Sequence, residues 1–280
     1  MYGDRWIAFF VFGFREAGAM LPGLSNHSSM DVKPETIELF QRDGFVAVSA
    51  FYHSEELASI EAELDRFKRE CIPELESTEV YYEVKGDASS LKQIQRMQQH
   101  DDCFAGLMDD KPRRLAEQLL GEQVVPKNLQ YFNKPPLVGQ KTPPHQDGYY
   151  FMLEPCRALT MWLALDEVDE ENGCVRYVRG SHREGLRPHN RTQTLGFSQS
   201  ISDFGNEQDE ANEVICRAQP GDLLAHQAMT IHRAGANNSP TRSRRALGFI
   251  FYGVSAREDA ASHKAYQQKL DSELAASGKI

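Results

Sequence analysis

The sequence predicts a mainly β protein with flanking helices, a jelly roll or a related barrel. Between residues 126 and 254, short apolar or alternating runs follow one another, among them NLQYF, ALTMWLAL, CVRYV, VICRA, DLLAH and RALGFIFYGV. Turn-forming segments such as Asn172-Gly173, Pro220-Gly221 and GANNSP separate these runs. Helical periodicity is found before and after this region. Many short strands joined by loop insertions are typical of a jelly roll.

Segments outside the β region have the pattern of amphipathic helices. The clearest is 54–71, where Ser54 is the expected N-cap and acidic residues fill the first turn. Its apolar residues recur at helical spacing, at Leu57, Ile60, Leu64 and Phe67. Shorter helices are expected near 34–43 and in KPRRLAEQLLG, which ends at Gly121, and HKAYQQKLDSELAA is expected to form the last helix.

The chain is expected to form one domain over residues 30–280. Its 280 residues are 40% hydrophobic and 26% charged, an ordinary composition for a protein with one sizeable core. The preceding segment contains WIAFFVFGF, which is too short to span a bilayer and is followed by Arg15 and Glu16 instead of the small residues of a cleavage site. We expect residues 1–29 to be a disordered extension or the product of a mis-assigned start.

Charge and cysteine content argue against several classes of partner. A net charge of −10 and a pI of about 5.4 argue against binding to nucleic acid or to an anionic membrane surface. The five cysteines are odd in number, widely spaced and without a CxxC pair, which argues against a disulfide framework or a zinc ribbon. A cytoplasmic location, in a reducing compartment, is therefore expected.

A histidine and a carboxylate stand two residues apart in KTPPHQDGYYFMLEP. On a strand, residues i and i+2 point to the same face, so His145 and Asp147 are expected to face the barrel interior, with Tyr149 on the same side. A buried imidazole and a buried carboxylate need a partner, a proton network or a metal. A simple hydrogen bond between Asp147 and His145 explains these two residues equally well.

Further candidate ligands lie in GDLLAHQAMTIHRAG. A strand that starts after Pro220-Gly221 would carry both His226 and His232 on one face, and parity does not choose between them. Two histidines and one carboxylate with open coordination positions form the facial triad of non-haem Fe(II) oxygenases. The largest class of these enzymes takes its electrons from 2-oxoglutarate, whose distal carboxylate suits a bidentate guanidinium.

Three arginines in TRSRRAL can supply that guanidinium. Arg242 and Arg244 are expected to share a face, while Arg245 points away. A solvated basic loop is the alternative interpretation of this cluster. Its position, one turn after His232 and directly before the apolar run ALGFIFY, favours a role in cosubstrate binding.

Five motifs occur in order between about Pro34 and Tyr252. They are FQRDGFVAV, QYFNKPPLVGQKTPPHQDGYYF, RALTMWLALDEVDEENGCVRYVRGSH, QPGDLLAHQAMTIHRAGANNSP and RRALGFIFY. Together they resemble the phytanoyl-CoA dioxygenase family of Fe(II)/2-oxoglutarate oxygenases. The resemblance implies a double-stranded β-helix core of the cupin-like kind, with Fe(II) as the metal and with 2-oxoglutarate and O2 as cosubstrates.

The resemblance also implies roles for individual residues. The implied iron ligands, which are also the implied catalytic residues, are His145, Asp147 and His232. By position, Arg244 becomes the partner of the 2-oxoglutarate C5 carboxylate, with Arg242 as the second choice. Two side chains, Gln130 and Trp162, are implied to line the cosubstrate pocket. Strand packing for Trp162 and a surface amide for Gln130 remain alternative interpretations.

Three positions refine this expectation. His226 is implied to support the ligands without binding the metal, because His232 matches the family's distal ligand. The chain has His232-Arg233-Ala234 where many relatives have His-Gly-Ser, so one hydroxyl that helps to bind the cosubstrate carboxylate is absent and weaker 2-oxoglutarate binding is expected. Asp147 stands where related halogenases carry a small residue, which favours hydroxylation.

The expected function is an Fe(II)- and 2-oxoglutarate-dependent dioxygenase. It would hydroxylate an unactivated C–H bond of a small organic or acyl substrate and release succinate and CO2. The aromatic run Tyr149-Tyr150-Phe151 could wall an apolar or amphiphilic substrate, and no clear phosphate-binding cluster for CoA is present. Two alternatives remain open, a non-oxidative metal-binding cupin-like enzyme and a non-catalytic jelly-roll binding protein.

Overall fold

Residues 32–194 and 197–276 are described in a computed structural model. Their helices are α1 (Pro34–Asp43), α2 (Ser54–Glu70), α3 (Met97–His100), α4 (Asp102–Asp109), α5 (Lys111–Leu120), α6 (Gly148–Phe151), α7 (Glu207–Asn212) and α8 (Ala260–Ala276). Within this part of the chain, no helix combines the length and the apolar composition that crossing a membrane requires.

Three of the described strands precede α5, and strands dominate the chain between α5 and α8. They are β1 (Phe45–Val48), β2 (Val80–Tyr82), β3 (Leu91–Ile94), β4 (Val124–Lys134), β5 (Thr142–His145), β6 (Leu153–Glu154), β7 (Ala158–Ala164), β8 (Val175–Val178), β9 (His189–Thr194), β10 (Phe197–Ile201), β11 (Glu213–Cys216), β12 (Leu223–Gln227), β13 (His232–Ala234), β14 (Arg244–Gly253) and β15 (Arg257–Glu258).

Two antiparallel sheets form the barrel. The larger sheet has the order β1-β12-β7-β14-β4-β3-β2, and the smaller sheet has the order β11-β8-β13-β5. Trp162 of the larger sheet and Tyr177 of the smaller sheet belong to one buried apolar cluster, so the two sheets pack face to face. The predicted mainly β jelly roll with flanking helices is therefore confirmed.

Strand β7 shows how the sequence places the site between the sheets. Every residue of this strand is buried, because alternate side chains enter two different layers. Leu159, Met161 and Leu163 pack in the main core together with apolar residues of α2, α4 and α5. Thr160 and Trp162 point the other way, into a cavity between the two sheets. The helices thus cover the outer face of the larger sheet and leave its inner face for function.

The predicted helices are confirmed, and one cap is corrected. Helices occupy the segments predicted near 34–43, at 54–71, before Gly121 and near the end of the chain. The assignment of Ser54 as N-cap is wrong, because His53 holds that position and donates its backbone N–H to the Glu56 carboxylate at 3.0 Å. The proposed extension, residues 1–29, lies outside the described residues, so the division at residue 30 stays a prediction.

Candidate active site

Two histidines face each other at the ends of neighbouring strands. His145 is the last residue of β5, His232 is the first residue of β13, and the two are direct cross-strand partners. Their ring centroids lie 4.1 Å apart. The Nδ1 atoms form hydrogen bonds with the carbonyls of Pro143 and Thr230, at 2.8 Å and 3.0 Å. With Nδ1 as the donor, each Nε2 keeps its lone pair for a metal.

Asp147 reaches the same point by a turn. Strand β5 ends at His145, and the Asp147 backbone is already helical, with φ −59° and ψ −32°. The expectation that Asp147 lies on the strand with His145 is therefore wrong, although its Oδ1 lies 3.5 Å from His145 Nε2 and 3.7 Å from His232 Nε2. The turn packs so closely that only glycine fits at position 148, because a side-chain Cβ there would lie 2.7 Å from Met229 Sδ.

Ligand atoms of His145, Asp147 and His232 all lie within 4.8 Å of one another. Burial alone would raise the pKa of Asp147, but the neighbouring histidines outweigh it and hold that pKa well below its usual value. Burial, with the two other imidazoles, lowers the pKa of His232 well below its usual value. A neutral imidazole beside a carboxylate is a suitable donor set for a divalent cation.

His226 belongs to a different strand from His232. Strand β12 ends at Gln227 and β13 begins at His232 in the other sheet, so the prediction of one continuous strand is wrong. His226 Nε2 lies 3.1 Å from Oδ2 of Asp147, and its Nδ1 lies 3.1 Å from the Tyr177 hydroxyl. Thr160 donates to the same Oδ2 at 2.6 Å. His226 and Thr160 therefore hold the carboxylate oxygen that points away from the two ligand histidines.

A cavity of about 100 Å³, called the inner cavity below, opens beside these residues. Arg244, Gln130 and Trp162 all line it, and the Arg244 guanidinium lies 5.2 Å from the Trp162 ring. Arg244 is 5% exposed, and its Nε has no hydrogen-bond partner among the described residues. Burial lowers the pKa of Arg244 to about 10, which leaves it charged at neutral pH.

The other two arginines of the cluster are engaged elsewhere. Arg242 pairs with Asp169 at 2.8 Å and with Glu171 at 2.5 Å. Arg245 pairs with Asp166 at 2.6 Å and with a glutamate of α2 at 2.8 Å. Neither lines the inner cavity, so Arg244 is the member of the cluster that faces it.

A second and larger space of about 320 Å³, called the outer cleft below, meets the inner cavity at four shared residues. These are Gln130, His145, Asp147 and Ile250. Tyr150 and Phe151 of α6 line the outer cleft, as the sequence suggested. The expectation for Tyr149 is wrong, because its ring stacks on His189 with centroids 4.4 Å apart and does not line the cleft.

Helix α8 closes the far side of the outer cleft, which the sequence did not reveal. His263, Tyr266, Gln267 and Leu270 line the cleft from this helix. The hydroxyl of Tyr266 lies 2.5 Å from the hydroxyl of Ser198 on β10, and this contact ties α8 to the barrel. The helical pattern of this segment was the only signal in the sequence, and it does not say where the helix packs.

The family model of phytanoyl-CoA dioxygenase (PhyH) matches residues 40–246, which is most of the chain and includes every predicted ligand. The chain belongs to the phytanoyl-CoA dioxygenase family. Within this family of Fe(II)/2-oxoglutarate oxygenases, peroxisomal phytanoyl-CoA dioxygenase of Rattus norvegicus is 25% identical over 235 residues. The match covers 79% of this chain and 68% of the relative. A probable alpha-ketoglutarate-dependent hypophosphite dioxygenase of Stutzerimonas stutzeri is 25% identical over 221 residues, which cover 77% of this chain and 76% of the relative.

Solved structures of family-like fold agree with this membership. EvdO2 from Micromonospora carbonacea var. aurantiaca, complexed with 2-oxoglutarate, is 26% identical with a TM-score of 0.65, over 82% of this chain and 94% of that chain. The epimerase SnoN from nogalamycin biosynthesis is 25% identical with a TM-score of 0.63, over 80% of this chain and 84% of that chain. EctD from S. alaskensis with bound Fe, at 20% identity and a TM-score of 0.68, shares the fold.

Proposed function

We propose that the protein is an Fe(II)- and 2-oxoglutarate-dependent dioxygenase that hydroxylates an unactivated C–H bond of a small organic substrate. In this reaction, substrate, 2-oxoglutarate and O2 yield the hydroxylated product, succinate and CO2. One observation carries the proposal: a triad of two histidines and one carboxylate, His145, Asp147 and His232, opens onto a cavity that ends at the buried guanidinium of Arg244. Family membership supports the same reaction class.

The three triad side chains fit Fe(II). Two neutral imidazole nitrogens and one carboxylate oxygen are the borderline and hard donors that this ion accepts, and a set of three leaves coordination positions open. His145, Asp147 and His232 would hold the metal. Thr160 and His226 fix the second oxygen of Asp147, so the carboxylate keeps one orientation towards the ligand histidines.

The inner cavity fits 2-oxoglutarate. The Nε of Arg244 is buried without a hydrogen-bond partner among the described residues, and a planar guanidinium in this state is suited to donate to a carboxylate. Trp162 holds the guanidinium plane from one side, and Gln130 offers an amide at the wall. Arg244 would bind the C5 carboxylate and thereby aim the other end of the molecule at the triad.

The metal and its cosubstrate supply, when bound, the O2 activation that breaks the substrate C–H bond. The protein's own side chains orient the reactants and exclude water. Tyr150, whose ring centroid lies 6.0 Å from that of His145, closes the outer cleft next to the triad. Its hydroxyl accepts from the backbone N–H of Gln199 at 3.2 Å, which fixes the ring between α6 and β10.

The outer cleft is the proposed substrate site, and it favours an amphiphilic molecule without phosphate groups. Tyrosine rings, amides and aliphatic side chains line it. Its two long basic side chains are already paired, Arg96 with Glu79 and Lys127 with Glu258 at 2.9 Å. Since no uncommitted lysine or arginine lines the described part of the cleft, the phosphates of a CoA thioester find no anchor there.

Hydroxylation is proposed because Asp147 occupies the third ligand position with a carboxylate. The epimerase SnoN has a similar fold and cofactor requirement by its description, so product analysis must establish the outcome for this chain. Incorporation of label from 18O2 into the product identifies hydroxylation, whereas an unlabelled product of changed structure identifies another outcome.

The experiment that tests the reaction class is an anaerobic titration of metal-free protein with Fe(II) and 2-oxoglutarate. Bidentate chelation of the iron by 2-oxoglutarate is expected to give a visible charge-transfer band. The band should be absent from His145→Ala and present in Lys127→Met, whose substitution lies outside the inner cavity. Binding of iron without a band at excess 2-oxoglutarate would leave a non-oxidative cupin-like metal enzyme as the better interpretation.

A further inference from the structure

Two basic side chains lie next to each other in the inner cavity. Lys134 on β4 and Arg244 on β14 are direct cross-strand partners. Opposite residues of an antiparallel pair project from the same face of the sheet, with Cβ atoms about 5 Å apart. Both side chains line the cavity, and the two residues are 4% and 5% exposed. The cavity therefore presents two neighbouring basic groups to whatever it holds.

The acidic groups around this pair are already committed. Lys92 on β3 pairs with Glu83 at 3.1 Å, and Arg233 at the cavity wall pairs with Glu213 at 2.6 Å. Within the described part of the chain, neither Lys134 nor Arg244 has an ion-pair partner of its own. Two adjacent buried basic groups are costly to charge together without a counter-charge, and a carboxylate bound beside them relieves this cost.

The Lys134 amine is held in one position. Its Nζ donates to the backbone carbonyl of Gln140 and to the Thr142 hydroxyl, the latter at 3.3 Å. The aliphatic part of the Lys134 side chain packs directly against Gly139 and Gly173. A Cβ added to Gly139 would lie 2.5 Å from Lys134 Cβ, and a Cβ added to Gly173 would lie 3.1 Å from Lys134 Cδ. A neutral amine has two N–H donors and both are used here, so only the protonated form has a third donor for a ligand.

The surroundings of Lys134 disfavour its charged form until a ligand arrives. Burial, together with the charges of Arg244 and Lys92, lowers the pKa of Lys134 well below its usual value, and Glu83 opposes this only in part. The lowered pKa therefore brings Lys134 closer to losing its proton in the ligand-free cavity than an exposed lysine would be. A bound carboxylate restores the charged form because it offers the missing counter-charge.

We propose that Lys134 is a second anchor, beside Arg244, for the distal carboxylate of 2-oxoglutarate, and that it takes up one proton from solvent as the dianion binds. The inference rests on the proposed function. The lone pair of Nζ accepts the proton, and the third N–H donates to the carboxylate; no other bond forms or breaks. Ala234 stands where many relatives have a serine, and Thr142 lies directly opposite Ala234 on the neighbouring strand. The Thr142 hydroxyl and Lys134 therefore lie close to the position of the missing serine hydroxyl.

Calorimetry on the Mn(II)-loaded protein tests the proton uptake without turnover. Titrations with 2-oxoglutarate in phosphate and in Tris, two buffers of different ionisation enthalpy, are expected to show uptake of about one proton per bound molecule at pH 7.5. Because protonation assists binding, the apparent Kd should rise by up to about tenfold per pH unit as the pH increases above 7.5. The probe 2-oxopentanoate has the same chain length without the distal carboxylate, and it should bind without proton uptake.

Variants assign the proton to Lys134. Lys134→Met keeps the length of the stem and is expected to abolish proton uptake and raise the Kd for 2-oxoglutarate about 10- to 100-fold, the effect of one charge-assisted hydrogen bond. Lys33→Met, the same change at an exposed lysine that lines neither cavity, should alter neither quantity. Thermal unfolding of each variant confirms that it is folded.

The outcomes separate this inference from the proposed function. Proton uptake near zero in the wild-type protein, with normal 2-oxoglutarate binding, overturns the role of Lys134 and leaves the oxygenase assignment standing. Undiminished uptake in Lys134→Met also overturns it. Failure of the metal-loaded wild-type protein to bind 2-oxoglutarate overturns the proposed function itself. The wild-type measurement decides the question even when Lys134→Met does not fold.

Discussion

The inner cavity and the outer cleft share the triad but are built from different parts of the molecule. The central strands β4, β7 and β14 and the facing strands β5 and β13 supply the walls of the inner cavity. Helices α6 and α8 and strand β10 supply much of the outer cleft. The first set of walls is fixed by continuous strand pairing, whereas the second depends on the packing of peripheral elements.

The two spaces also differ in charge. Within the described part of the chain, Lys134 and Arg244 of the inner cavity have no ion-pair partner, while Arg96 and Lys127 of the outer cleft are each paired with a glutamate. A space with fixed uncompensated charge selects one ligand of opposite charge, and a neutralised space lined by rings and amides selects by shape and hydrogen bonds. The difference teaches that cosubstrate recognition and substrate choice are carried by separate structural elements.

The family match follows the same division. It covers residues 40–246 and stops before α8 begins at Ala260. The triad and every residue that lines the inner cavity except Ile250 fall within the matched region, whereas the far wall of the outer cleft does not. Family membership therefore informs the cosubstrate half of the site and leaves the substrate half to this chain's own residues.

Removing the shared carboxylate should give the largest effect, because both spaces depend on the triad. Asp147→Ala is expected to reduce Fe(II) binding and product formation by more than about 100-fold, since loss of a metal ligand costs more than loss of its supporting contacts. The measurements are the Fe(II) affinity and the succinate formed. Asp65→Ala, at an exposed carboxylate, is the control. Full hydroxylation by Asp147→Ala would remove Asp147 from the ligand set.

A change confined to the inner cavity should have the next largest effect. Arg244→Ala is expected to raise the KM for 2-oxoglutarate about 100-fold, because the cosubstrate loses a buried charge-assisted contact. Arg242→Ala should change this KM by less than about twofold, since its ion pairs lie partly exposed outside the cavity. Initial rates of succinate formation at varied 2-oxoglutarate measure both. The opposite ranking would show that Arg242 is the partner of the carboxylate.

The inner cavity was the more predictable of the two spaces. Alternation along β7 and β14 puts Trp162 and Arg244 on inward faces, and strand periodicity is readable from sequence. Alternation failed where the backbone leaves the strand. It placed Asp147 on the same strand as His145, but that strand ends at His145. It also placed His226 and His232 on one strand, but a turn separates the two strands that hold them. Local periodicity contains no information about where a strand stops pairing.

The outer cleft was predictable only in part, because its walls are set by long-range packing. Tyr149 and Tyr150 are neighbours in α6, and only the helical turn decides that Tyr150 faces the cleft while Tyr149 stacks on His189. Tyr266 meets its partner Ser198 through a contact between distant parts of the chain. A terminal helix with few apolar residues has no sequence pattern that identifies its docking surface.

The smallest effect is expected from a change in the outer cleft. It tests most directly whether substrate binding in the outer cleft is separate from 2-oxoglutarate binding in the inner cavity. Tyr266→Ala should raise the KM for the substrate that best stimulates succinate formation by about 3- to 10-fold, the value of one aromatic contact. The Kd for 2-oxoglutarate and its charge-transfer band should stay unchanged, because α8 does not line the inner cavity. Gln268→Ala, on the exposed side of the same helix, serves as the control. A change in 2-oxoglutarate affinity for Tyr266→Ala would show that the two spaces are coupled through α8.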